Sequence, residues 1–509
     1  MTDIANESHH DVVVVGAGPA GLVAAVQLAR CGLDVLVLER RGDVSNSPRA
    51  VGVSLRQMEV FRGWGLEDEL RAGSPDVDLA LLETTTVADA GDGTRVAINL
   101  PDAAQSAVVS PTSSARVPQD HLERVLAGHL GRLPSAGLIR QAEVVDLEQD
   151  GAGARLDVRF GGSAETRRVS AAYVVAADGA RSSIRSRLGV ALLGPGRVMA
   201  GVSAEFHAPL WPLLAEHRYA LYGIKSTEGA GVLIPAGPDD RWQFGVVLGP
   251  DDDAARVADR AAMERRIRAA TGAPRMPLDI GRTSIFEAGA QVADRFSVGR
   301  VFLAGDAAHR VTPRGGNGLA MAVRDGLAIG WRLAWVLRGW AAPAFLQTYE
   351  QEMRPLAAVD VARAADPQGG CHAVVTEMLQ DLGGRLPHAW VGPGATGSAP
   401  VSTLDLIGDG LTLLTAPDSP QWHSAATAHH HDVPVEAVAL PRAVAYALGL
   451  IVPGSAMLVR PDAVPITRWW RVGDHPRGVT ELDRAMSDLI GPGLTAVGPR
   501  ALRPAEVVR

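Results

Sequence analysis

Residues 11–41 read DVVVVGAGPAGLVAAVQLARCGLDVLVLERR. Four consecutive valines, Val12 to Val15, lack the alternation of a half-exposed strand and predict one covered on both faces, as in a parallel sheet. Gly16, Gly18 and Gly21 follow at once in the spacing G-x-G-x-x-G, and a helical apolar period comes next. In that setting the first glycine permits a tight turn, the second lets the backbone approach a pyrophosphate, and the third lets the helix pack close to the strand. The helix N-terminus then offers N–H groups to an anion. A second apolar strand, 34–38, ends in Glu39, 18 residues after Gly21, where an acceptor for a ribose hydroxyl belongs. Strand, glycines, helix, second strand and terminal acid together predict a dinucleotide site.

A chain of 509 residues exceeds one ordinary core, so two or three domains are expected. The net charge of −8 argues against a nucleic-acid partner, which needs a clustered basic face. Two cysteines, Cys31 and Cys371, cannot form a disulfide framework, and a cytoplasmic, reducing location is expected. No apolar run reaches the length of a membrane helix, so no membrane span is expected. The run His429, His430, His431 lacks a neighbouring cysteine and reads as an exposed loop, and no metal site is expected.

Further along, a polar loop carries Arg49 at S-P-R-A, and helices are predicted at 55–64 and 117–130, the second with Gln119 at its entrance. Residues 76–110 show strands and turns without a helical period. A buried strand at 173–177 delivers Asp178 and Gly179 at its end, followed by a helix beginning near Ser182 and carrying Arg185. Ligands of doubly wound sheets gather at such strand ends. Residues 191–289 then alternate as β-strands (202–206, 219–224, 231–235, 242–248), reading as a mainly antiparallel sheet inserted into the first domain. Tyr219, Tyr222, Trp242 and Phe244 fall in these strands; singly they read as core, as a group they are candidates to wall an apolar substrate pocket.

A third motif follows. Strand 301–304 ends in Gly305-Asp306, a loop holds Pro313, Gly315, Gly316 and Gly318, and a long apolar helix runs over 319–337. Its glycines again place N–H groups at a helix start, and Asp306 is a candidate to hold a ribityl or ribose hydroxyl. His309 reads as hydrogen-bonded scaffolding. From about residue 387 a linker, VGPGATGSAP, leads to a small α/β unit with strands near 411–414, 437–440 and 456–459 and helices near 441–448 and 479–489.

Three glycine/acid motifs in this order, with an antiparallel insertion between the second and third, resemble the class A, single-component FAD-dependent aromatic hydroxylases, including aromatic polyketide monooxygenases. The resemblance covers about residues 10–370, and the segment from Tyr349, YEQEMRPLA, is part of it. It implies a Rossmann-like (GR2-type) FAD-binding domain from residues 1–75, 108–190 and 290–385. A substrate-binding sheet domain would come from 76–107 and 191–289. The tail, 386–509, is similar to the thioredoxin-like α/β domain of phenol-hydroxylase-type enzymes; it lacks C-x-x-C, so a packing or dimerisation role is implied, in a monomer or homodimer.

By the same resemblance, Gly16, Gly18, Ala20, Gly21, Glu39 and Arg40 would hold the FAD pyrophosphate and adenosine ribose. Asp178 and Gly179 would serve FAD and NAD(P)H, and Asp306, Pro313, Gly315, Gly316, Gly318 and Leu319 the second FAD motif. Arg49 and Gln119 fall at flavin-contacting positions, and Arg49 is a candidate to sense movement of the flavin. The sequence departs from the family at Ala320 and Ala322, where asparagine and glycine are usual, and at Gly326, where alanine is usual. The implied reaction consumes NADPH or NADH and O2 to hydroxylate a phenolic or multi-ring, polyketide-type aromatic through a flavin C4a-hydroperoxide, in secondary metabolism such as antibiotic biosynthesis. Baeyer–Villiger-type oxygen insertion and a non-oxygenating flavoprotein scaffold are the alternatives. No general base is identifiable.

Overall fold

The computed structural model describes residues 7–45, 50–98, 100–366, 374–392, 400–470 and 476–491. The valine run forms the strand Glu7–Val15, with Val12, Val13 and Val14 fully buried. Its neighbours in the sheet are parallel: Val35–Glu39 on one side and Thr166–Ala176 on the other. Ala136–Arg140 extends the sheet beyond the first and Val301–Leu303 beyond the second. An antiparallel hairpin, Ala142–Gln149 and Ala154–Phe160, joins through Thr166–Ala176. Helix Pro19–Arg30 covers these strands and the hairpin strand Ala142–Gln149 comes back against Val35–Glu39, which explains why they read as unbroken apolar runs.

The register puts the ends of the strands in line. Val15 pairs with Leu38 and with Ala176, and Ala176 pairs with Leu303. Glu39, Asp178 and Asp306 therefore emerge at one edge, from three different strands. Helix Pro19–Arg30 is pressed between this sheet and the helix Gly318–Leu337. Contact is backbone to backbone: a Cβ on Gly326 would stand 2.4 Å from the Ala20 carbonyl oxygen, and one on Gly330 2.9 Å from Gln27 Cβ. The unusual glycine after Asp325 is thus the point of closest approach of the two helices that carry the first and third motifs.

A second sheet runs in the order Asp279–Ala288, Met199–His207, Arg241–Val247, Gly231–Pro235, Tyr219–Ile224, Asp78–Thr84, Thr94–Ala97. All neighbours are antiparallel except Tyr219–Ile224 with Asp78–Thr84, where a segment from earlier in the chain completes the sheet. One face is covered by helix Arg260–Thr271, whose Met263, Ile267 and Ala270 join Phe206, Tyr222, Trp242 and Phe244 in a separate core. That helix was absent from the reading of 191–289 as sheet, although Asp259 caps its start, Gly272 ends it in a left-handed turn, and the i, i+4, i+7 spacing marks its face. Residues 76–110 likewise contain a helix, Ala103–Val109, announced by the capping box of Asp102 and Gln105.

The tail forms a four-stranded sheet, Val435–Ala439, Leu411–Thr415, Ala456–Val459, Pro465–Trp469, with only the first pair parallel. Helices Pro420–Ala428, Arg442–Ala447 and Pro476–Ile490 complete the thioredoxin-like arrangement. Its core is shared: Trp331, Trp335 and Phe345 from the cofactor half pack with Leu411, Leu413 and Trp422. His430 pairs with Asp483, and His431 bonds the Asp483 carbonyl, so this histidine run is tied to the last helix. Among the described residues no helix is long and apolar enough to cross a membrane.

Candidate active site

At the aligned strand ends the first glycine turn is shaped by steric need. Gly16 has φ +104°, and a Cβ there would fall 2.3 Å from the carbonyl oxygen of Ala177, just past the end of the neighbouring strand. A Cβ on Gly21 would fall 2.0 Å from the Gly16 oxygen. Beside Gly18, by contrast, nothing lies within 4 Å of such an atom. Gly16 and Gly21 are glycines because protein presses on them, while Gly18 faces open space that a phosphate can enter. The half-buried Glu39 is held at this turn by accepting from the N–H groups of Ala17 and Arg41, each at 2.8 Å. Arg40 is exposed, and Ala20 lies buried in the first helical turn.

The second motif is joined to the third. Ser182 caps its helix by accepting from the Arg185 N–H at 2.9 Å, and Arg185 Nη1 donates to the Ala307 carbonyl at 3.2 Å. Burial draws the Arg185 guanidinium below its ordinary range. Asp178 accepts from the Ile184 N–H through Oδ2, while its buried Oδ1 has no partner among the described residues. Gly179, at φ +85°, also faces open space.

The third motif is latched by an acid inside the long helix. Asp325, fully buried, accepts from the Gly305 N–H at 2.9 Å and pairs with His309 Nε2 at 2.7 Å. This fixes the turn that presents the half-buried Asp306. Ala322, one of the departures from the family pattern, packs beneath it: a Cβ on Gly305 would lie 3.7 Å from its own. Tyr349 and Glu350 brace the strand from behind. Tyr349 Oη donates to the Leu303 carbonyl at 2.8 Å, and Glu350 accepts from the Phe296 and Ser297 N–H groups. Pro313, Gly315 and Gly316 form the loop before Gly318, where the helix begins, with Leu319 buried behind it. The first turn of this 20-residue helix directs its N–H groups into the same region as Asp306.

Gln119 stands at the start of the helix Gln119–Leu130; its N–H bonds the Ala50 carbonyl and its side chain donates to Glu123 at 2.7 Å. Arg49 lies outside the described residues, as does Cys371. The next residue of the helix, Asp120, is 1% exposed and accepts from Arg241 Nη1 of the second sheet at 2.8 Å. Arg241 also donates to Glu205 at 2.6 Å. The polar face of that sheet is therefore the one turned toward the cofactor half.

This corrects the expectation for three of the aromatics. Tyr222, Trp242 and Phe244 alternate with the polar face and lie fully buried in the sheet's own core under helix Arg260–Thr271. Tyr222 Oη donates to the His217 carbonyl, and Trp242 Nε1 to the Ala208 carbonyl. Tyr219, beside a β-bulge, sits half-buried edge-on to Tyr222 at 6.4 Å and packs on the same core. One residue of strand phase decides which face meets the site, and the apolar set belonged to the other face. Arg241 and Asp120 were missed because opposite charges 121 positions apart carry no local signal.

The residues present fit a flavin dinucleotide: an open glycine turn, an anchored acid beside it, an unpartnered Asp178 oxygen and a helix start all face one edge. Comparison with known proteins agrees. A family model described as FAD binding domain matches residues 9–364, and one described as aromatic-ring hydroxylase, C-terminal, matches 380–493. The chain belongs to the FAD-dependent aromatic-ring hydroxylases and is a flavoprotein monooxygenase using FAD, with NAD(P)H and O2 as the family's co-substrates. It is 31% identical to a putative polyketide hydroxylase of Streptomyces halstedii, covering 89% of this chain and 92% of that one. It is also 31% identical to the aklavinone 12-hydroxylase RdmE of Streptomyces purpurascens, covering 90% and 95%. Among solved structures, it resembles aklavinone-11 hydroxylase in a ternary complex with FAD and aklavinone (TM-score 0.84, 28% identity, 94% and 99% covered). The flavin-dependent monooxygenase PieE, in complex with FAD and substrate, is similar at TM-score 0.83, 26% identity, 95% and 99% covered.

Proposed function

We propose that this enzyme hydroxylates a multi-ring aromatic, polyketide-type substrate, in the cytoplasm, as part of secondary metabolism. The observation that carries the reading is the likeness along almost the whole chain, inserted sheet and tail included, to an enzyme solved with FAD and the fused-ring compound aklavinone. Interspersed surface charge and the scarcity of cysteine support the location. The tail, without C-x-x-C, serves packing, in a monomer or homodimer.

FAD, when bound, supplies the hydride acceptor and the site of oxygen activation. The chain's own residues position it. Gly16, Gly18 and the first turn of Pro19–Arg30 would take the pyrophosphate, Glu39 the adenosine ribose and Asp306 the ribityl side, with Gln119 at a flavin-contacting position by the family resemblance. The start of helix Gly318–Leu337 offers partial positive charge that would favour negative charge on a flavin ring held there. Asp178 and Gly179 serve the FAD and NAD(P)H approach. The polar sheet face that Arg241 ties to Asp120 would cover the reacting ring and limit its contact with water.

The test is NADPH and NADH oxidation by the purified yellow protein with a panel of polyphenolic and polyketide compounds, with peroxide assayed in parallel. Strong stimulation with little peroxide is expected for a fused-ring compound; no stimulation by any of them would overturn the reading in favour of a flavoprotein scaffold. NMR of the product separates hydroxylation, the expected outcome, from oxygen insertion into a ring. Asp306→Ala is expected to purify with little flavin; full flavin content would remove Asp306 from the site.

A further inference from the structure

Arg116 is 5% exposed, yet its Nε and Nη2 have no hydrogen-bond partner among the described residues. No carboxylate offsets its burial, which alone draws the guanidinium down to about 9. It therefore stays charged at neutral pH. An unpaired buried cation is costly, and the other deeply buried arginines here are paired or bonded: Arg332 to Glu352 and Arg385 to Glu59.

Its direction is fixed by the backbone. Ala115 forms an antiparallel bridge with Val53, and Ala115 and Val117 both pack into the core of the cofactor half. Arg116, between them in extended chain, points to the other side. There it passes Gly52, which is only partly buried and has no side chain to fill the space: a Cβ on Gly52 would lie 3.6 Å from Arg116 Nη1 and 3.9 Å from Leu100 Cδ1. Leu100 follows the last strand of the second sheet, Thr94–Ala97. Arg116 thus stands where the cofactor half meets the sheet, a few residues before Gln119 and Asp120. Ser114 Oγ, two residues back on the same side of the chain, is buried without a partner among the described residues as well.

We propose that Arg116 binds an ionised oxygen of the aromatic substrate, a phenolate or a carboxylate, at the junction of the cofactor half and the second sheet. The inference rests on the hydroxylase reading and deepens it by making the substrate an anion. The planar guanidinium matches a carboxylate, or a phenolate with an adjacent carbonyl, in two parallel hydrogen bonds. Pairing there holds one edge of the ring system, keeps a phenol in its electron-rich ionised form, and supplies the counter-charge that the protein withholds.

The experiment uses FAD-loaded protein and two probe pairs, rhein with its methyl ester and alizarin with its 2-methyl ether, titrated by perturbation of the flavin absorbance. The wild type is expected to bind at least one anion roughly tenfold or more tightly than its neutral partner. Arg116→Met removes the preference, Arg116→Lys restores part of it, and the FAD dissociation constant moves less than about threefold. Arg116→Gln gives the same comparison should the Met variant misfold. Absence of a preference for anions in the wild type overturns the proposal, as does a preference that survives in Arg116→Met. Loss of FAD with the preference intact reassigns the arginine to the cofactor and also overturns it. Anion binding that depends on Arg116, without NAD(P)H consumption or product, leaves this inference standing and removes the hydroxylase reading.

Discussion

The two junctions of the cofactor half are built in opposite ways. Toward the tail, buried charges are closed into networks. Arg385, the residue before the tail, holds Glu59 with both side chains under 4% exposed, and Arg56, which donates to Glu59 at 3.1 Å, also donates to the Asp462 carbonyl of the tail at 2.6 Å. Arg332, Glu352, Arg460 and Asp462 form a chain that ends on a helix of the cofactor half at one side and a strand end of the tail at the other. Burial pushes the Asp462 carboxyl up, but Arg460 together with Arg332 and Arg56 more than reverses this and holds it below the usual range. Toward the second sheet, one pair, Asp120 with Arg241, crosses the junction, and Arg116 and an oxygen of Asp120 are left without partners among the described residues. A junction with every charge answered is a permanent joint. One that leaves charges unanswered is where a ligand completes the set.

Breaking the closed junction should have the largest effect. Glu59→Ala strands Arg385 in the interior, at a cost of about 3–5 kcal/mol, read as a fall in the midpoint of thermal or urea unfolding. A midpoint unchanged would show that the joint does not depend on its charges. Asp120→Asn keeps the shape but weakens the pair with Arg241; a loss of about 1–2 kcal/mol is expected, with a faster release of bound aromatic ligand than of FAD. The smallest effect, and of opposite sign, belongs to Arg116→Met. Removing an unanswered charge should leave the unliganded melting temperature unchanged or raise it, while ligand-induced stabilisation by an aromatic anion disappears. A large destabilisation by this variant would place Arg116 with the structural charges after all.

The same contrast explains what the sequence disclosed. The glycine turns, Glu39, Asp178 and Asp306 are legible because backbone geometry there dictates residue type: Gly16 and Gly21 admit no other side chain, and the acids sit at strand ends that a buried valine run announces. The tail was readable from strand and helix periods as a small α/β unit, and as thioredoxin-like only through the family resemblance, while helix Pro420–Ala428 passed unnoticed among small residues. The second sheet resisted because alternation tells that two faces exist, without saying which one meets the cofactor half. Trp242 and Phe244 were drawn to the pocket by their chemistry, yet helix Arg260–Thr271 claims them. Arg116 sits in S-S-A-R-V-P, and only three-dimensional neighbours reveal that no described residue answers its charge.

The helix Gly318–Leu337 has two different duties along its length: its start faces the flavin site, while Trp331 and Trp335 near its end form a wall of the tail's own interior. Trp335 Nε1 also donates to the Asp409 carbonyl at 2.8 Å. The tail is therefore not a cassette. Cutting before residue 386 would leave two tryptophans facing solvent on the back of the helix that cradles the cofactor, and a tail grafted from a relative would meet a surface shaped for another. Hybrid enzymes meant to exchange substrate preference are better spliced at the ends of the second sheet, leaving helix and tail together as one inherited block.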